Sequence, residues 1–119
     1  MAEKAKLKKL KEEFLFLKDK ALGVLLYGSN VDRTNTAKSD VDICIVAPKQ
    51  KPSDILRIVH QKIDVYKKKC DLHFFEELPL YIKAEILKNH AVLVTENLPE
   101  LYEYSYVYRK LWDEQKHRQ

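Results

Sequence analysis

Glycine is nearly absent from this chain, with only Gly23 and Gly28 among 119 residues. The scarcity excludes a glycine-rich linker or low-complexity tract and makes the two positions that carry it informative. They sit at either end of one apolar run, Val24-Leu25-Leu26-Tyr27. Cysteine is equally sparse. Cys44 and Cys70 are too few for a disulfide scaffold. Strand alternation puts Cys44 in phase with Asp42 and Cys70 out of phase with Asp71, so the thiols point to opposite faces of a shared sheet. Free thiols fit a cytosolic protein. No apolar run approaches the roughly 20 residues of a membrane span. The lysine-rich start lacks the apolar stretch of a secretory signal. The cytoplasm is therefore the expected location, and a membrane is not an expected partner.

What is present is a globular composition: 45% hydrophobic and 34% charged residues. The length suits one domain over residues 1–119. The net charge of +4 is modest but clustered. Lys4, Lys6, Lys8, Lys9 and Lys11 gather near the start, and Lys67, Lys68 and Lys69 form a run. Such runs read first as solvated helix faces. A nucleic-acid surface is the less favoured reading. His60, His90 and His117 show no ligand spacing with cysteine or acid, which argues against zinc.

Hydrophobic periodicity predicts a helix over 3–20, with Leu7, Leu10, Phe14 and Leu17 as its apolar stripe. A strand over 24–28, a polar connection over 29–39 and a strand over 41–47 come next, the last ended by Pro48. Pro52-Ser53-Asp54 opens a helix over 53–68, striped by Ile55, Ile58, Val59, Ile63 and Tyr66. A short strand runs from Asp71 to Phe75. A helix runs from Pro79 to Asn89, a strand from Ala91 to Thr95, and a long helix over 98–116. Tyr102, Tyr104, Tyr106 and Tyr108 also alternate, but the length of that segment favours helix. The expected fold is α+β, a small mixed β-sheet with helices packed on one face and acids on the other.

The chemistry concentrates in Gly28-Ser29, followed after ten residues by Asp40-Val41-Asp42. In a strand, residues i and i+2 share a face, so Asp40 and Asp42 project side by side with Cα atoms roughly 7 Å apart. Two such carboxylates resist joint ionisation unless cations lie between them. A pair of Mg²⁺ ions, which prefer oxygen ligands, would satisfy that need. Gly28 lets a phosphate approach the backbone, and Ser29 offers a hydroxyl and an N–H to bind it. A third acid is expected on a neighbouring strand. Asp71, opening the apolar stretch Leu72 to Phe75, is the best candidate; Glu76 and Glu77 lie past the strand in a turn. His73 is in phase with Asp71 but reads as an ordinary strand histidine.

The arrangement of strand, Gly-Ser, ten residues and Asp-x-Asp resembles the minimal nucleotidyltransferases of the DNA polymerase beta superfamily. Gly28, Ser29, Asp40 and Asp42 match its motif at full spacing, and Asp71 matches its third carboxylate. The segment Leu78 to Leu87, then Val92-Leu93-Val94, is similar to the stretch after the catalytic acids in that family. The likeness spans about residues 10–105. It implies a polymerase beta-like palm fold. It also implies two Mg²⁺ ions held by Asp40, Asp42 and Asp71, with ATP as substrate. Members of that kind are antitoxins encoded beside HEPN-domain ribonuclease toxins, and they transfer AMP from ATP to a toxin tyrosine. The family often carries Arg-Gly at the third and fourth places after its serine. This chain has Asp32 and Arg33 there, so the basic group falls to Arg33, shifted by one, or to Lys38.

The chain length leaves room for the catalytic fold alone, which points to a macromolecular acceptor that brings its own docking surface. The aromatic end, Tyr102 to Trp112, reads as core and surface packing, with a partner interface as the sharper alternative. Three functions are thus expected in order: protein adenylyl transfer as an antitoxin, stoichiometric neutralisation through a vestigial site, and nucleotidyl transfer to a small molecule or RNA. A homo-oligomer is left open.

Overall fold

The run Gly23–Tyr27 forms a strand, β1, that is buried along almost its whole length. Strand β2, Val41–Val46, pairs with it antiparallel, Leu25 facing Cys44. Strand β3, Cys70–Phe74, runs parallel to β2, and β4, His90–Val94, runs antiparallel to β1. The sheet order is β3-β2-β1-β4, which makes β1 and β2 central and β3 an edge. The computed structural model describes residues 2–28, 41–64 and 69–117.

Helix α1 spans Ala2–Phe14 and continues into a 3-10 turn, Leu15–Leu17. Leu10, Phe14 and Leu17 recur at spacings of four and three, fall on one side, and are buried. Helix α2 spans Pro52–Lys62, with Pro52 in the first turn, where its missing N–H costs nothing. Helix α3 spans Leu80–Lys88, and α4 spans Leu98–His117. A 3-10 turn, Phe75–Glu77, joins β3 to α3.

The α+β class and the mixed sheet stand as expected, but the helices do not keep to one face. Leu10, Phe14, Ile55 and Val59 pack with Val24, Leu26, Ile43 and Ile45 on one side. Ile86, Leu87 and Leu101 pack with Leu25, Cys44 and Val46 on the other. The reason lies in the central strands. Both faces of β1 and the far half of β2 are apolar, and a one-sided layer would leave Leu25, Cys44 and Val46 in water. The acids therefore occupy one end of the second face rather than the whole of it.

Helix α2 is also shorter than the apolar stripe predicts. Ile63 turns to extended backbone, φ −132° and ψ 134°, while its N–H still reaches the Val59 carbonyl at 2.8 Å. A β-branched residue takes the extended conformation readily, and Ile63 remains buried from there. Tyr66, the last member of the expected stripe, lies outside the described residues. Cys44 and Cys70 are free, buried and on opposite faces of the sheet.

Candidate active site

Three adjacent strands bring their chemistry to one end of the sheet. Tyr27, the last residue of β1, faces Asp42 of β2, and Asp42 faces Asp71 of β3 directly. The parallel pairing of β2 and β3 makes both acids the second residue of their strands, so two carboxylates stand side by side on one face. Cys44 pairs with His73 one step further along the same face. The edge position of β3 leaves the Asp71 side chain 56% exposed and that of His73 35% exposed, open to a ligand from solvent.

Gly28 closes β1 at φ +83°, a conformation that glycine adopts without penalty. A Cβ built there would lie 2.5 Å from Asp42 Oδ2. The missing side chain thus makes the room that the Asp42 carboxylate fills. His73 Nε2 lies 3.1 Å from Asp71 Oδ2. One ligand atom from each of Asp42, Asp71 and His73 falls within 4.8 Å of the others. The Tyr27 ring meets the His73 ring edge-on, with centroids 6.0 Å apart. Burial pushes the Tyr27 phenol well above its ordinary value, and the nearby Asp42, Cys44 and Asp71 push it further the same way. Tyr27 therefore stays protonated beside the acids. The donor set is oxygen-rich and open on one side, which fits a divalent cation that also takes ligands from a phosphate.

Residues 8–98 match the polymerase beta nucleotidyltransferase family. The chain belongs to that family. It is 42% identical over 99 residues to a protein of Methanocaldococcus jannaschii named "Putative protein adenylyltransferase MJ1547", a stretch covering 83% of this chain and 75% of that one. Two solved structures share the fold. One is a chain of a toxin-antitoxin complex with AMP-PNP, at TM-score 0.73 and 15% identity, covering 91% of this chain and 90% of that one. The other is a chain of the tri-AMPylated Shewanella oneidensis HEPN toxin in complex with an MNT antitoxin. Its TM-score is 0.68 at 11% identity, covering 98% and 91% of the two chains.

In this nucleotidyltransferase the structure brings together Gly28, Asp42 and Asp71 among the residues singled out in the sequence. Asp40, Ser29 and Arg33 lie outside the described residues, as do Asp32 and Lys38. Glu76, the weaker candidate for the third acid, is engaged elsewhere. Its Oε1 accepts from the Ala47 N–H at 3.1 Å, and its Oε2 accepts from the Tyr104 hydroxyl at 2.9 Å. Glu77 is exposed. Sequence reasoning placed His73 in phase with Asp71 but set it aside as an ordinary strand histidine, and it did not single out Tyr27. The signal for His73 was its i+2 relation to Asp71, and for Tyr27 its place immediately before Gly28. A cavity of about 440 Å³ opens at the opposite end of the strands, beside Lys18, Lys20, Lys49, Glu96 and Glu100. Its mixed charges lie away from the acids. No helix among the described residues is long and apolar enough to cross a membrane.

Proposed function

We propose that this nucleotidyltransferase transfers AMP from ATP to a tyrosine hydroxyl of a HEPN-domain toxin encoded by the adjacent gene, and so acts as its antitoxin in the cytoplasm. The observation that carries the reading is the face-to-face pairing of Asp42 and Asp71 beside Gly28. It stands in a chain 42% identical to a protein named for adenylyl transfer to protein. The AMP-PNP complex and the AMPylated HEPN toxin among the fold's neighbours support the nucleotide and the acceptor.

Asp42 and Asp71, with Asp40, would hold two Mg²⁺ ions. Bound there, the ions would neutralise the triphosphate and the charge that develops on transfer. The chain's own groups do the rest. Gly28 keeps the end of β1 narrow enough for the phosphates to approach the backbone, and Ser29 and Arg33 would bind them. Asp71, on the open edge strand, is placed to accept the proton of the incoming hydroxyl. The hydroxyl oxygen then bonds to the α-phosphorus, the bond to pyrophosphate breaks, and the chain supplies position and charge rather than a covalent intermediate.

The test is direct. The protein is incubated with α-labelled ATP, Mg²⁺ and the product of the adjacent gene, and the label is located by mass spectrometry. Label on a partner tyrosine is the expected result. Label on RNA or a small molecule, or none on any acceptor, would overturn the assignment.

A second reading has an observation of its own. Helix α4 exposes Tyr102, Tyr106, Val107 and Leu111, aromatic and apolar area of the kind that partners cover. Neutralisation that survives Asp42→Asn but is lost with Tyr102 and Tyr106 changed would place the antitoxin effect in binding alone.

A further inference from the structure

The two carboxylates have a third companion that the family motif does not require. His73 comes two residues after Asp71 on β3, so the alternation of the strand puts both on the same face. Its Nε2 lies 3.1 Å from Asp71 Oδ2, and a ring nitrogen lies within 4.8 Å of a carboxylate oxygen of Asp42. These separations can be compared with those around one ion. Neighbouring ligands on an octahedral cation with bonds of about 2.1 Å lie about 3.0 Å apart, and opposite ones about 4.2 Å. The 3.1 Å between His73 Nε2 and Asp71 Oδ2 matches neighbouring ligands, and the 4.8 Å that bounds the remaining separations is slightly longer than the distance between opposite ones, a difference that side-chain rotation closes without moving the backbone. The Tyr27 ring, set edge-on at 64° to the imidazole, limits the ring's freedom to turn away.

We infer that His73 is a nitrogen ligand of the cation held by Asp42 and Asp71, and that it shifts the preference of this site from Mg²⁺ toward Mn²⁺. The inference rests on the reading of those two acids as metal carboxylates. Mg²⁺ is hard, takes oxygen and gives up its water reluctantly, so an imidazole in its shell adds little. Mn²⁺ stands above Mg²⁺ in its affinity for nitrogen, yet accepts the same carboxylate and phosphate oxygens in the same octahedral geometry. A neutral imidazole also adds a ligand without adding charge, so a dication still balances the two acids. The site's partial exposure lets a hydrated ion reach all three side chains.

The experiment uses the intact, nucleotide-free protein, so that no adenine nitrogen competes. Mn²⁺ is titrated in and binding followed by the loss of the free-ion EPR signal. Pulsed EPR then reads nitrogen coupling on the bound ion, and Mg²⁺ competition gives its relative affinity. Wild type is expected to show imidazole ¹⁴N coupling. His73→Gln is expected to lose the coupling and roughly tenfold of Mn²⁺ affinity, with Mg²⁺ affinity changed far less. Bound Mn²⁺ that needs Asp42 but shows no ¹⁴N coupling in wild type, or the same coupling in His73→Gln, would overturn the role of His73 and leave the carboxylates standing. Mn²⁺ that does not bind wild type, or binds Asp42→Asn equally well, would overturn the metal-carboxylate reading and this inference with it.

Discussion

Gly28 and Asp42 occupy space that a single side chain would fill: a Cβ on Gly28 would lie 2.5 Å from Asp42 Oδ2. The end of β1 is built around the carboxylate of β2. Gly28→Ala must therefore push the carboxylate aside, and it must also hold a side chain at φ +83°, at a cost of about 1–2 kcal/mol. Gly23 gives the control. A Cβ there would meet Leu101 Cδ2 at 2.8 Å, in the core and away from the acids. Gly23→Ala is expected to destabilise by about 1–3 kcal/mol through overpacking, with AMP transfer per folded molecule unchanged. Gly28→Ala is expected to lose transfer well beyond its loss of stability. Denaturant unfolding beside a transfer assay separates the two.

Asp42→Asn is expected to abolish transfer while the protein stays folded. Asn keeps the size of the side chain and removes the charge that would hold a cation, a term worth several kcal/mol in the transition state. The rate should fall at least about a hundredfold. The unfolding midpoint should move little, because Asp42 is only half-buried at the end of its strand. A fully active Asp42→Asn protein in Mg²⁺ would remove Asp42 from the site.

Cys44 links the buried face to pH. Burial pushes its thiol up from 9.0 to about 12, and the charge of Glu76 adds to the shift. The folded protein thus favours the neutral thiol. Below the unfolded value both states hold the proton, and the stabilisation is fully present. As pH rises from about 9 to about 12 the unfolded chain ionises first, so stability falls across that window. Cys44→Ala should flatten part of the fall in unfolding free energy measured from pH 8 to pH 11. Native Cys44 should also resist alkylation at pH 8, since the thiolate is the reactive form.

Much of the architecture was legible because β1 is a continuous apolar run and β2 is one from Ile43 onward, and because the long helices carry their stripes at regular spacing. Those patterns account for the α+β class and nearly every element. What the pattern does not carry is partnership between segments far apart in the chain. Leu25, Cys44 and Val46 look like any strand residues until β1 is known to lie centrally in the sheet. Only then do they require α3 and α4 above them. The end of α2 was obscured for a related reason, since Ile63 keeps the helical phase of the stripe but reaches the core from extended backbone. Asp71 could be nominated from its place at the start of a strand. Its register opposite Asp42, and the turn of His73 toward both, are set by the parallel pairing of β2 with β3. Asp40, Ser29 and Arg33 lie outside the described residues, so their part in the site rests on the motif.

Glu76 ties three parts of the fold together, which makes it the strongest test of how α4 is held over the sheet. Its carboxylate takes the Ala47 N–H just past β2 and the Tyr104 hydroxyl from α4, while Tyr108 donates to the Tyr104 oxygen at 3.4 Å. Burial first, and then these hydrogen bonds, raise the Tyr104 phenol well above its ordinary value, so it remains a donor. Lys83 Nζ lies 4.5 Å from the centroid of the Tyr108 ring and closes the cluster. A hydrogen bond to a charged group contributes about 1.5–3 kcal/mol, and a donor left buried without a partner costs a similar amount. Glu76→Ala should therefore destabilise by about 2–4 kcal/mol, and Tyr104→Phe by less, because it leaves the Ala47 bond intact. The double variant should cost less than the two single changes added, since both remove the same Tyr104–Glu76 bond. Additive losses in denaturant unfolding would show that the bond contributes nothing to holding α4 in place.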